Sequence, residues 1–271
     1  MSIDETCLSR GELYTIITNK SAKGRKGAIV AMIKGTKADT ICDIVTKLPR
    51  RVRYLCKEIT LDFANNMSVI AKKCFPVAVQ VNDRFHLHQL VHEAVQEVRI
   101  RHRWEAIEAE NKAIKDAKEK KIRYEPQTLE NGDTLKQLLA RSRYLLYKTQ
   151  EKWTESQALR AKLIFELYPD IKKAYDLSNI LNQVFKAKNK EIAYTRLARW
   201  YNDVENSKLD TFRAAANTIM NHYETILNYF NKKSTNASAE SFNAKIKAFR
   251  VMFRGVVDTK FFLYRLAKIY A

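Results

Sequence analysis

The sequence predicts a helix-rich α/β protein, in which a mixed sheet formed early in the chain is followed by a long all-helical stretch. Three observations carry this. Glycine numbers 6 and proline 4 in 271 residues, well under the usual roughly 7% and 5%, which excludes an all-β fold with many tight turns. Short β-rich apolar runs are confined to residues 1–85. From His86 onward the apolar residues recur at helical spacing instead. Hydrophobic residues make up 46% of the chain, enough for a packed core and too many for a disordered tail.

The first strand is expected over Met1–Glu5, followed by strands at Leu13–Thr18 (LYTIIT) and Ala28–Ile33 (AIVAMI), with the turn-like Ser21–Gly27 between the last two. Thr36 caps a helix through Lys47, which Pro49 stops. A strand within Val52–Leu61 ends at Asp62, Asn65–Cys74 reads as a helix, and Val77–Val81 (VAVQV) reads as a strand. The order β-β-β-α-β-α-β implies three sequential strands continued by crossovers. Residues 86–121 form one long helical pattern, with further helices expected over 133–149, 154–167, 170–187, 190–204 and 208–230. Thr154 with Gln157 makes a capping box, and Pro169 suits a first helical turn. After the polar break Ser234–Ser238, helices resume over 239–252 and 259–270. The sheet region is therefore assigned to residues 1–85 and 232–271, and a helical insertion to 86–231.

Charge points to the partner. The chain has 49 Lys+Arg against 30 Asp+Glu, a formal net charge of +19, which suits a polyanion. The excess is uneven. Residues 20–57 hold 11 basic and 2 acidic side chains and residues 232–271 hold 9 and 2, whereas 86–231 hold 25 and 20. The middle reads as ordinary solvated helix surface, and the two flanking segments as a shared binding face. No run of 18 apolar residues exists, so no membrane span is predicted, and the polar N-terminus is no signal peptide. Cys7, Cys42, Cys56 and Cys74 are scattered without zinc spacing, as expected of reduced thiols in the cytoplasm. His88 and His92 lie one helical turn apart without an H-E-x-x-H pattern, so zinc is not expected.

Three acids stand at element ends: Asp4 in the first strand, Asp62 after the strand ending I-T-L, and Glu240 opening the helix after the 234–238 break. Singly, each reads as a surface or capping residue. Together they have a logic, because adjacent strands bring Asp4 to Asp62 and a helix across the sheet delivers Glu240. Three such carboxylates can hold two Mg²⁺ or Mn²⁺ ions about 3.5–4 Å apart, the arrangement that drives in-line phosphoryl transfer. Glu240, Asn243 and Lys247 share one helix face, which Arg250 and Arg254 roughly extend. Cations leading away from a metal-holding carboxylate suit an entering DNA backbone. The aromatics Trp104, Trp153, Trp200, Tyr144 and Tyr147 read as core packing, although stacking on a base is an alternative.

The segments Ser2-Ile-Asp-Glu5, Asp62-Phe-Ala, D-R-F-H over 83–86 and S-T-N-A-S-A-E-S-F-N-A-K-I-K over 234–247 resemble the bacterial DDE transposases, most closely the insertion-sequence L-three family. The resemblance extends through R-Y-L-L-Y-K (143–148) and K-W-T-E-S-Q (152–157) and so covers essentially the whole chain. It implies a ribonuclease-H-like five-stranded mixed sheet interrupted by a large all-helical insertion. It also implies Mg²⁺-dependent cleavage of transposon ends and strand transfer, with Asp4, Asp62 and Glu240 as catalytic metal ligands. His86, in the D-x-x-H signature with Asp83, is implied to contact the scissile phosphate or a metal-bound water, or else to cap the next helix. DNA contacts are expected at Arg84, Asn236, Asn243, Lys245, Lys247, Arg250 and Arg254, and the basic loop 19–27 is a further candidate. The resemblance implies a homo-oligomer on DNA, nucleoid association, and zinc-binding and helix-turn-helix recognition modules that are missing from the N-terminal side of this chain. The rival expectations are a nuclease on the same fold that cuts without joining, and an inactive truncated DNA-binding remnant.

Overall fold

A computed structural model describes residues 1–9 and 11–271, with Ser9 described through its backbone alone. The chain divides into two compact units, Met1–His86 with Asn221–Ala271, and Leu87–Met220. In chain order the sheet unit contributes β1 (Ser2–Ser9), β2 (Glu12–Thr18), β3 (Ile29–Lys34), α1 (Ala38–Val45), α2 (Arg50–Arg53), β4 (Glu58–Leu61), α3 (Asn65–Cys74) and β5 (Val79–Asn82). The helical run follows as α4 (Arg84–Glu119), α5 (Leu135–Arg141), α6 (Glu155–Leu167), α7 (Pro169–Val184), α8 (Lys190–Ser207) and α9 (Asp210–Asn221). The chain then returns to the first unit through α10 (Tyr223–Leu227), α11 (Tyr229–Lys232), α12 (Ala237–Met252) and α13 (Thr259–Tyr270).

The five strands lie in the order β3-β2-β1-β4-β5. β2 is antiparallel to both of its neighbours, while β1, β4 and β5 run parallel. Period-2 alternation sends successive side chains to opposite faces, and a register shift in β3 opposite Ile17 and Thr18 moves Ile29 to the face away from Ile33. Ile3, Ile17, Ile33, Ile59 and Leu61 pack on one side against Ile41 and Val45 of α1 and Met67 and Ile70 of α3. Leu8, Tyr14, Ile16 and Ile29 pack on the other against Phe242, Ile246 and Phe249 of α12 and Phe262 and Leu266 of α13. Each such buried side chain contributes roughly 1.5–3 kcal/mol, so α12 is seated across the sheet by a continuous apolar seam. The outer edge of β5 is covered as well: Asn228 donates to the Gln80 carbonyl at 3.0 Å, and Thr225 to the Asn82 side chain.

The helical unit is built on its own contacts. Thr134 with Gln137 and Thr154 with Gln157 form capping boxes at the starts of α5 and α6, and Pro169 opens α7. Trp200 of α8 is fully buried and donates to the Leu177 carbonyl of α7 at 2.9 Å. Asp133, almost fully buried, accepts from Arg160 at 2.8 Å and also from Arg141. Burial alone would raise its pKa, but these two guanidinium partners hold it below the usual carboxylate value. Among the described residues no helix is long and apolar enough to cross a membrane, and all four cysteines are free thiols.

Several elements differ from the sequence expectation. β1 is eight residues long and does not stop at Glu5, because pairing with β2 continues from Ser2 opposite Thr18 to Ser9 opposite Glu12. The strand expected within Val52–Leu61 is present as β4 over its last four residues. Residues 50–53 instead form the helical turn α2, which lets Arg53 donate to the Cys74 carbonyl at 2.8 Å and satisfy the C-terminus of α3. The helix expected over 133–149 ends at Arg141, where Ser142 bonds back to the Leu138 carbonyl and a 3₁₀ turn follows at 145–147. The one expected over 208–230 is divided into α9, α10 and part of α11.

Candidate active site

Asp4 lies in β1, and Asp62 directly follows β4. The parallel register pairs Ser2 with Thr60, so the same register carried two residues further sets Asp4 beside Asp62. Asp4 accepts from the Glu5 amide at 2.8 Å, and Asp62 from the Phe63 amide at 2.6 Å. Such bonds fix each carboxylate close to its own backbone. Asp83 follows β5 and is almost fully buried; its Oδ2 is 3.2 Å from Nδ1 of His86. The same Nδ1 lies 3.8 Å from Asp62 Oδ1. His86 therefore faces two acids from the first turn of α4.

The start of α12 is tied down by a buried asparagine. Asn236 is fully buried; its backbone N–H donates to Asp83 Oδ1 at 3.0 Å, and its Oδ1 accepts from the Thr60 hydroxyl at 2.9 Å. Its side-chain nitrogen is buried without a hydrogen-bond partner. The amides of Ala239 and Glu240 bond to the Asn236 carbonyl, at 2.8 and 3.1 Å. Glu240 is thus held in the first turn of a helix whose origin is fixed to β4 and to the end of β5. One turn on, Asn243 donates to Asp4 Oδ2 at 2.8 Å.

The electrostatics show a site short of positive charge. Burial pushes the pKa of Asp4 up, with Asp62 and Asp83 adding to it, against the Glu5 amide and His86. Burial also pushes Glu240 up, aided by Asp83 and Asp4 and opposed by His86. For Asp83, burial is outweighed by the bonds from His86 and the Asn236 amide, and its pKa falls. The bond to Asp83 raises that of His86 despite burial, with Asp62 and Asp4 reinforcing the shift. Asp4, Asp62 and Glu240 offer only oxygen donors, a set that suits Mg²⁺ or Mn²⁺. Two of the three are penalised as anions, which a bound cation would relieve. Among the described residues, no three His, Cys, Asp or Glu side chains stand close enough together to form a ligand cage on their own.

The expected DNA contacts separate into two groups. Asn236 is corrected: a fully buried side chain cannot reach a phosphate, and its bonds make it an anchor for α12. Asn243 is spent on Asp4, and Lys245 donates to the Gly24 carbonyl at 2.8 Å. Arg254 does not continue the Glu240 face, because α12 ends at Met252 and Arg254 takes a left-handed φ of 53°. Even so, Lys247, Arg250 and Arg254 come together around an open hollow of about 440 Å³. Lys247, Arg254 and Arg84 are exposed. Thr60 is the residue that sequence reading missed; a polar residue in the apolar strand E-I-T-L-D was the available signal.

Asp4 in β1, Asp62 just past the end of β4 and Glu240 in the first turn of α12 thus stand on elements that the fold joins, and basic side chains line the same helix. A family model described as "Transposase", that of the insertion-sequence L-three DDE transposases, matches residues 1–266. No curated protein and no solved structure matches the chain. The match covers nearly the full length, and the chain therefore belongs to the insertion-sequence L-three family of DDE transposases and is a DNA transposase.

Proposed function

We propose that this transposase cuts the ends of its element by metal-dependent hydrolysis and then joins the freed 3′-hydroxyl to target DNA. The observation that carries the proposal is the anchoring of α12, which ties Glu240 to the strands bearing Asp4 and Asp62 through Asn236 and Asn243. Asp4, Asp62 and Glu240 would hold two Mg²⁺ or Mn²⁺ ions. When bound, such ions stabilise the attacking and leaving oxygens of an in-line displacement, so no side-chain nucleophile is required.

The chain's own residues have separate tasks in this reading. Asn243 orients the Asp4 carboxylate, and Asp83 orients the His86 ring through Nδ1. His86, held toward its charged form by that bond, offers a proton or a hydrogen bond to the scissile phosphate. Lys247, Arg250 and Arg254 take DNA phosphates around their shared hollow. In the first reaction water attacks phosphorus and the 3′ oxygen leaves. In the second, that 3′ oxygen attacks a target phosphodiester and displaces another 3′ oxygen.

The sheet order β3-β2-β1-β4-β5 with only β2 antiparallel supports a ribonuclease-H-like core, with the helical residues between β5 and α10 as its insertion. Work on two element ends further implies a homo-oligomer on DNA. A strand-transfer assay with pre-cleaved ends tests the proposal. Joined products in Mg²⁺ or Mn²⁺ are expected, and hydrolysis without joining would assign the chain to the nuclease reading instead.

A further inference from the structure

The loop between β2 and β3 is short, strongly basic and internally ordered. The Asn19 amide donates to the Ala28 carbonyl at 2.8 Å, Lys23 to Lys20 at 3.1 Å, Arg25 to Ala22 at 2.9 Å and Ala28 to Arg25 at 3.0 Å. The Asn19 side chain accepts from the Ser21 amide at 3.1 Å. Lys20 lies 4.0 Å from Glu58. Lys23, Arg25 and Lys26 are exposed and, among the described residues, form no ion pair. Three cations are therefore presented on a closed turn with no acid to neutralise them.

This loop is fastened to the helix that carries Glu240. Lys245 Nζ donates to the Gly24 carbonyl at 2.8 Å. Gly24 takes a left-handed φ of +69°, which favours glycine there, and a Cβ would stand 2.7 Å from that Nζ and push the lysine end aside. Lys245 is five residues beyond Glu240, an axial distance of roughly 7.5 Å at 1.5 Å per residue. Five residues also turn the helix by about 140° at 3.6 residues per turn, so the loop is fastened to a flank of α12 beside the face of Glu240, Asn243 and Lys247.

We propose that the loop Asn19–Gly27 is a preformed DNA-backbone contact serving the active site, and that Lys245 positions it and does not itself bind phosphate. The proposal rests on the DNA-cutting reading above. Lys23, Arg25 and Lys26 neutralise backbone phosphates of the duplex that the site acts on, and their fixed turn spares part of the entropy of ordering that segment on binding.

The test is binding of a short labelled duplex, followed by fluorescence anisotropy from 50 to 200 mM salt, by the full chain and by the K23Q/R25Q/K26Q variant. If each cation neutralises one phosphate, the wild-type chain loses roughly 40-fold more affinity over that range than the triple variant. A second variant, Lys245→Met, is expected to weaken binding and to speed tryptic cutting between Lys23 and Lys26, with Lys245→Arg restoring both. Bound duplex should shield the same bonds in the wild type. Wild-type binding and joining with an unchanged salt slope in the triple variant would overturn the loop proposal alone. No duplex binding by the wild-type chain would overturn the DNA-cutting reading and the loop proposal with it.

Discussion

Thr60→Val isolates the anchor on which the active-site geometry depends. Thr60 is fully buried in β4, and valine preserves the β-branched shape that the strand needs. The substitution removes the 2.9 Å hydrogen bond to Asn236 Oδ1 and leaves that buried oxygen without its donor, costing about 1–3 kcal/mol. The added methyl group returns up to ~0.8 kcal/mol, so a loss of about 1.5 kcal/mol is expected. For a chain of this size that lowers Tm by about 3–6 °C. The companion variant Asn236→Ala keeps the backbone bond to Asp83 but lacks the acceptor, so the double variant should be no less stable than Asn236→Ala alone. With Glu240 one turn away, strand transfer should fall on the order of 10–100-fold. A Tm change below about 1 °C, or fully additive losses in the double variant, would refute the reasoning.

Other consequences concern charge and packing. Glu240→Gln should abolish DNA cleavage while Tm near neutral pH without added metal stays constant or rises, because burial and the neighbouring Asp83 and Asp4 penalise its negative charge; a clearly lower Tm contradicts this. Asp133→Asn should cost about 1–2 kcal/mol at neutral pH by weakening the charge-assisted bonds from Arg160 and the more exposed Arg141. Asp133 has a depressed folded-state pKa, so its contribution is present above the unfolded carboxylate value of 3.8 and is lost as pH falls through the lower folded value. Urea denaturation across that interval should therefore show the gap between wild type and variant closing toward acid, and a constant gap would rule out the ion pair as its source. Trp200→Phe removes a fully buried ring segment and the 2.9 Å bond to Leu177, so a loss of about 2–3 kcal/mol is expected in calorimetry. A loss under about 0.5 kcal/mol would mean the site repacks.

The sheet was legible where local pattern decides. L-Y-T-I-I-T and A-I-V-A-M-I alternate or run apolar between turn residues, and the structure places β2 and β3 there to within a residue or so. Asn65–Cys74 is α3 as read. Arg50–Arg53 was not legible as helix, because its conformation answers a tertiary need, the unsatisfied carbonyls at the end of α3. The same distinction holds at the site. Glu240 taken singly reads as a surface or capping residue, and it stands out only together with Asp4, Asp62 and the segment 234–247. Asn236 has the residue type of a cap or a phosphate contact, and only the arrival of Asp83 and Thr60, 153 and 176 residues away in sequence, makes it a buried anchor. Lys245 likewise reads as one more cation on a basic helix until Gly24 is found beneath it. The end of α12 was read at residue 252, where the structure ends it, and Arg254-Gly255 supplies the glycine stop, with the Gly255 amide bonding to the Arg250 carbonyl at 3.0 Å.

The central claim, that Asp4, Asp62 and Glu240 form one metal-binding catalytic site, is tested most directly by anomalous diffraction from crystals of the chain soaked in Mn²⁺. The account predicts two anomalous peaks about 3.5–4 Å apart, coordinated by Asp4, Asp62 and Glu240. Strong peaks elsewhere, with none touching these three carboxylates at saturating Mn²⁺, would contradict it.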